Sequence, residues 1–191
     1  MAIKTSENAN TMRLRVDSQQ TSFEENRQFK FYDDCTGADA IPTANILIYR
    51  FTSTYPLKLQ LRLINGIAGA RKYTVYPTGG ETITGGSFAD VTAEKVSPVN
   101  NDLSVSGLSS HPVSGVTIEK RIATSFVTTA PKRTGTAYKA DTNNNRATSS
   151  YTASGNASGV AAGNSFYLVF EDMNGADPSE FLFQLEWEER P

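Results

Sequence analysis

The chain has 191 residues, a single cysteine, a single histidine and a net charge of −2. That length leaves room for one domain with its own core, and Cys35 alone rules out an intrachain disulfide or a cysteine metal cluster. The charge gives no electrostatic case for nucleic acid or an anionic membrane, and no apolar run approaches the ~20 residues that span a bilayer.

Residues 1–11 are polar and predict an N-terminal arm. They lack the apolar stretch of a secretory signal, which points to synthesis in a cytoplasm. Residues 12–191 read as one domain. Met12, Leu14 and Val16 alternate with Arg13, Arg15 and Asp17, the period of a strand. Ser22-Phe23-Glu24-Glu25 has the form of a capping box, but no apolar helical face follows it. Phe29, Phe31 and Tyr32 open the next strand, with a turn expected at Asp33-Asp34-Cys35-Thr36-Gly37.

From Ala44 to Thr52, Ile46 and Ile48 lie on one side and Leu47, Tyr49 and Phe51 on the other, as in a strand buried on both faces. Leu57, Leu59, Leu61 and Leu63 alternate with Lys58, Gln60 and Arg62, which predicts a half-buried strand. A helix would scatter those leucines around its axis. Lys72–Tyr76 reads as a strand closed by Pro77 and Gly79-Gly80. Two weaker strands follow around Gly85-Gly86, then a loop over 100–112 and renewed strand character from Val116 to Val127.

Residues 131–165 contain no Leu, Ile, Phe, Met or Trp. Such a segment cannot by itself bury enough surface to offset its ordering entropy, so it reads as a polar insertion or loop, or a projection ordered by a partner. Its Tyr138-Lys-Ala and Tyr151-Thr-Ala stretches predict the two arms of a polar hairpin. The last stretch pairs an apolar run, Phe166–Phe170, with Phe181, Phe183, Leu185 and Trp187 alternating against polar residues. The expectation is a closing β-hairpin that carries the sole Trp into the core. The whole predicts an all-β chain, an antiparallel β-sandwich of jelly-roll type.

Little in the sequence suggests reaction chemistry. His111 sits in a loop before Pro112, and no Gly-x-Ser-x-Gly elbow accompanies it. Thr78–Gly86 is glycine-rich but lacks the lysine of a phosphate loop, so two turns explain it. Asp33, Asp34 and Asp39, and again Glu171, Asp172, Asp177 and Glu180, bring oxygen ligands together at turns without the spacing of a calcium loop. Tyr138, Tyr151 and Tyr55 are the tyrosines expected in loops, where a ring can stack on a sugar. No cofactor is expected.

Phe166-Tyr167-Leu168-Val169-Phe170 and the terminal Leu185-Glu186-Trp187-Glu188-Glu189-Arg190-Pro191 resemble the ends of small virion structural proteins of tailed bacteriophages. Gly159–Gly163 and Leu103–Leu108 are similar to that group as well. The resemblance implies a β-sandwich module arrayed in many copies on a virion, and it brings no catalytic motif. The resemblance does not distinguish head decoration from collar, baseplate or fibre attachment. The missing active-site constellation, the polar N-terminal tail and the long core-free segment lead to the expectation of a capsid decoration protein that stabilises by burying surface between capsid subunits. Such a protein would be a homo-oligomer, a trimer by expectation, bound to the major capsid protein or other virion proteins. Met12, Leu14, Val105, Leu108, Tyr138 and Tyr151 are the partner-contact candidates. A tail, collar or baseplate accessory protein and a host-glycan-binding module are the alternatives, with an enzyme behind them.

Overall fold

The computed structural model describes residues 26–99, 113–130, 134–139, 148–152, 159–160, 163–172 and 178–190. For 60–63, 70–71, 134–139, 148–152, 159–160 and 172 it describes the backbone alone. The predicted strand at Met12–Val16 and the loop over 100–112, His111 included, lie outside these residues.

Two antiparallel sheets pack face to face. In chain-order numbering, the first sheet runs β11 (Thr148–Thr152), β3 (Leu57–Ala68), β14 (Glu180–Glu189), β1 (Gln28–Cys35), β7 (Val96–Pro98), with β12 (Gly159–Val160) also on β3. The second runs β10 (Thr134–Lys139), β4 (Ala70–Pro77), β13 (Ser165–Asp172), β2 (Ile46–Ser53), β8 (Val116–Ala123), β6 (Ala89–Asp90). A separate pair, β5 (Glu81–Thr84) with β9 (Ser125–Thr128), completes the strands. A four-residue helix, α1 (Thr92–Lys95), and a 3-10 turn at Gly37–Asp39 are the helical elements among the described residues. The chain is thus an all-β antiparallel sandwich.

The core follows from the period of two. Phe29 and Phe31 on β1 and Phe181, Phe183, Leu185 and Trp187 on β14 point inward from the first sheet. Leu47, Tyr49 and Phe51 on β2 and Phe166, Leu168 and Phe170 on β13 meet them from the second. Phe31 packs edge-on against Tyr49, Phe51 and Phe183 at centroid distances of 5.3, 5.8 and 5.7 Å, the arrangement aromatic quadrupoles favour.

The other faces of β2 and β13 are also dry. Ile48, Tyr167 and Val169 form a second apolar layer with Tyr76 and Ala123, and Ile46, Ile83, Phe88 and Phe126 pack onto it. Ile83 and Phe126 come from the β5–β9 pair, which lies over the second sheet as an outer flap. This layer is why β2 and β13 are apolar on both sides while β14 is apolar on one.

Three expectations need correction. The last two strands do not form a hairpin. β13 lies between β4 and β2, and β14 between β3 and β1, so the chain changes sheet between them. Each is apolar enough to be an inner strand, and each takes an inner place in a different sheet. The four leucines of β3 do not keep one register either. Irregularities in the β14–β3 ladder set Leu59 opposite Trp187 but Leu61 and Leu63 opposite Glu186 and Gln184. Nor are Tyr138 and Tyr151 on arms of one hairpin or in loops. β10 adds to β4 in one sheet and β11 to β3 in the other, so a neighbour's ladder supplies the order that their composition does not.

The turn from β3 to β4 is a single residue, Gly69, at φ +70°. A Cβ there would lie 2.6 Å from Ser179 Oγ, so the sharp change of sheet requires glycine.

Candidate functional site

The inward positions of β1 are Phe29, Phe31, Asp33 and Cys35. The strand therefore runs through the acids expected to form a turn and carries a carboxylate into the sandwich. Asp33 is 1% exposed. An isolated charge there would be prohibitive, and it is answered from the opposite sheet and from α1. Tyr49 of β2 donates its hydroxyl to Asp33 Oδ2 at 2.6 Å, and Lys120 of β8 donates to the same oxygen at 2.7 Å. Lys95 of α1 places its Nζ 3.3 Å from Oδ1. Cys35, free and buried, has its Sγ 3.4 Å from the Tyr49 hydroxyl and 3.8 Å from Lys120 Nζ.

Burial pushes the Asp33 carboxyl up, but the bonds from Lys120 and Tyr49 and the charges of both lysines outweigh it, so the net shift is downward. Burial likewise lowers Lys120, and the Asp33 bond with the neighbouring negative charge reverses it, leaving Lys120 raised. Burial and the Asp33 charge push the Cys35 thiol up to about 11, which makes it a poor nucleophile near neutrality. Tyr49, fully enclosed, is pushed well up by burial and then by its negative neighbours. The ionised pair is the preferred state, and the arrangement fastens one sheet to the other.

A second buried carboxylate does similar work at the far end of β14. Glu189, 4% exposed, accepts from Ser114 Oγ at 2.5 Å, from the Gly115 amide at 3.0 Å and from the Trp187 indole at 3.1 Å. Its own amide donates to the Arg27 carbonyl at 2.9 Å. The terminal Trp-Glu-Glu pattern thus closes the sandwich. Trp187 fills it against Phe29, Glu189 grips the segment entering β8, and Glu188 pairs with Arg190.

The flap is held by polar contacts over its apolar underside. Tyr167 donates to Glu81 Oε1 at 2.6 Å, and Arg121 donates to the Ile83 and Gly85 carbonyls at 3.0 and 2.8 Å. Arg50, paired with Glu119 across β2 and β8, lies 4.4 Å from the centre of the Phe88 ring.

Among the sequence-derived candidates, Met12, Leu14, Val105 and Leu108 lie outside the described residues, as does His111. Tyr138 falls opposite Arg71 and Tyr151 opposite Arg62, on edge strands of different sheets, so the fold does not place the two tyrosines side by side on one element. Of the acids expected at the two turns, Asp177 lies outside the described residues and three others have separate partners. Asp34 accepts from Thr36, Glu171 pairs with Lys72, and Glu180 accepts the Gly37 amide. Among the described residues no group of three or more His, Cys, Asp or Glu is placed to hold a metal ion. The sequence does not single out the cluster of Asp33, Tyr49, Lys120 and Lys95, nor Glu189 as a buried acceptor at the other end. Carrying the period of two past Phe31 would have turned Asp33 and Cys35 inward. No protein-family model, curated protein or solved structure matches the chain.

Proposed function

We propose that the chain is a structural protein of a bacteriophage virion, a capsid decoration protein that acts through the surface it covers rather than through turnover. The observation that carries the proposal is the strand order. β1 lies beside β14, β2 beside β13, β3 on the far side of β14 and β4 on the far side of β13, while β10 and β11 extend the two sheets. In this reading the order is that of a jelly roll, an architecture that viral capsid domains use, lectin domains and cupins also. The buried carboxylates support a structural role, since Asp33 and Glu189 are each enclosed by donors that tie elements together.

In this reading copies assemble as a homo-oligomer on the major capsid protein, and modest interfaces of about 1,000 Å² suffice when several engage together. Particles stripped of the protein are expected to release DNA at lower temperature and to regain stability when it is added back. Unchanged melting and DNA retention would overturn a stabilising role. Immunogold labelling at the tail instead of across the head would move the assignment to a tail, collar or baseplate accessory.

A further inference from the structure

The Asp33 cluster lies at the end of the sandwich where β1 passes into the 3-10 turn, and Trp187 lies at the other end of the same strand pair. Cys35 pairs with Phe181 and Phe29 with Trp187 along the β1–β14 ladder. Four elements converge on the Asp33 carboxylate or its partners: β1 itself, β2 through Tyr49, β8 through Lys120 and α1 through Lys95. The other charged neighbours are Asp39, acting on Lys120, and Asp34, acting on Cys35. We propose that Asp33 is an acid-operated latch whose protonation frees Lys95 and Lys120, opens this end of the sandwich and uncovers Cys35 while the aromatic core around Trp187 stays closed.

The geometry sets the order of events. A neutral Asp33 leaves two ammonium groups facing a site 1% exposed, and both side chains have solvent within reach, at 31% and 19% exposure for Lys95 and Lys120. Their departure admits water beside a thiol that is otherwise fully covered. The far end has a separate set of bonds, from Ser114, Gly115 and Trp187 to Glu189, and does not share the latch. Because the Asp33 carboxyl is held below its ordinary value of 3.8, its stabilisation is complete above about pH 4 and is lost as pH falls through the depressed native value. Lys120 is raised above 10.5, so the cluster also weakens in strong alkali.

The test measures the rate at which 4,4′-dithiodipyridine labels Cys35 as pH is lowered, divided into the rate for the same chain in denaturant at the same pH. Trp187 fluorescence follows the core in parallel. The expected result is protection falling about tenfold per pH unit on the approach to the Asp33 titration, before the Trp187 signal moves. Lys95→Gln, which removes one cation that holds the closed Asp33 carboxyl down, is expected to lower Cys35 protection already above about pH 4 and to make the further loss in acid smaller. Asp33→Asn, if it folds, is expected to leave Cys35 labelled rapidly at neutral pH with little pH dependence. Protection lost only together with the Trp187 transition, or neutral-pH protection and an acid loss both unchanged in Lys95→Gln, would overturn the latch.

Discussion

The central strands of the second sheet, β2 and β13, bury apolar residues on both faces, and the two faces are built by different means. Inside, β2 and β13 meet another full sheet, and the contact is aromatic. Phe170 stacks on Phe181 of the first sheet at 4.7 Å, and Phe31 of the first sheet meets Tyr49 and Phe51 at 5.3 and 5.8 Å. Outside, the same strands meet a two-stranded flap whose apolar residues are few, and side-chain bonds to main-chain carbonyls hold it down. Volume governs the inner layer and polar geometry the outer. A substitution inside should therefore act as a cavity and reach the whole fold, while one outside should loosen the flap and leave the sandwich standing.

The strongest way to break that contrast is at Phe31. Phe31→Ala removes a fully buried ring at the junction of both sheets and is expected to cost about 3–5 kcal/mol in denaturant unfolding, lowering the whole transition. A loss below about 1 kcal/mol would mean that the inner layer collapses around the gap and that volume does not govern it. Glu189→Ala comes next. It leaves the Ser114 hydroxyl, the Gly115 amide and the Trp187 indole without their acceptor, at about 1–3 kcal/mol for each buried donor that water does not reach. The Trp187 emission should shift with it, since the indole loses its bond.

Gly86→Ala addresses the outer layer. Gly86 has φ +61°, and a Cβ there would run into the carbonyl oxygen of Ile122. The strain is expected to cost about 1–3 kcal/mol. The discriminating readout is hydrogen exchange, with faster exchange in β5 and β9 and unchanged protection in β1 and β14. Equal acceleration in all four would show that flap and sandwich open as one unit.

The same contrast explains what the sequence disclosed. β13 is apolar from Phe166 to Phe170 and β2 from Ile46 to Tyr49, and that pattern alone indicates two covered faces. β14 alternates cleanly and was legible as a one-sided strand with Trp187 inward. The register of β3 was not legible, because an irregularity in its ladder with β14 lies in the pairing and leaves no mark in the alternation of leucines. Asp33 was hidden for another reason. Aspartate before a Thr-Gly pair is a turn signal on local grounds, and the opposing evidence, Lys120 and Tyr49, lies 87 and 16 residues away in the chain. Tyr138 and Tyr151 gain strand conformation from β4 and β3, and a segment's own composition does not report its neighbours. Sequence patterns describe which faces are covered; they do not describe which distant charges meet.

The smallest effect expected is also the finest test of how the flap is held. Tyr167→Phe keeps the ring that packs against Phe88 and Phe126 and removes the hydroxyl that donates to Glu81. The expected cost is about 0.5–1.5 kcal/mol, confined to exchange of the β5–β9 pair. Burial pushes Glu81 up, yet the Tyr167 hydroxyl and the Gly79 amide outweigh it and leave the carboxyl lowered from 4.5. Its contribution is then present above about pH 4.5 and fades as pH falls through the native value. In the wild-type chain flap exchange should quicken over that acid range, and in Tyr167→Phe the acid response should shrink because the bond is already gone. An acid response of full size in the variant would assign it to the Gly79 amide and the turn before β5, and the flap would then be held from its hinge and not from its underside.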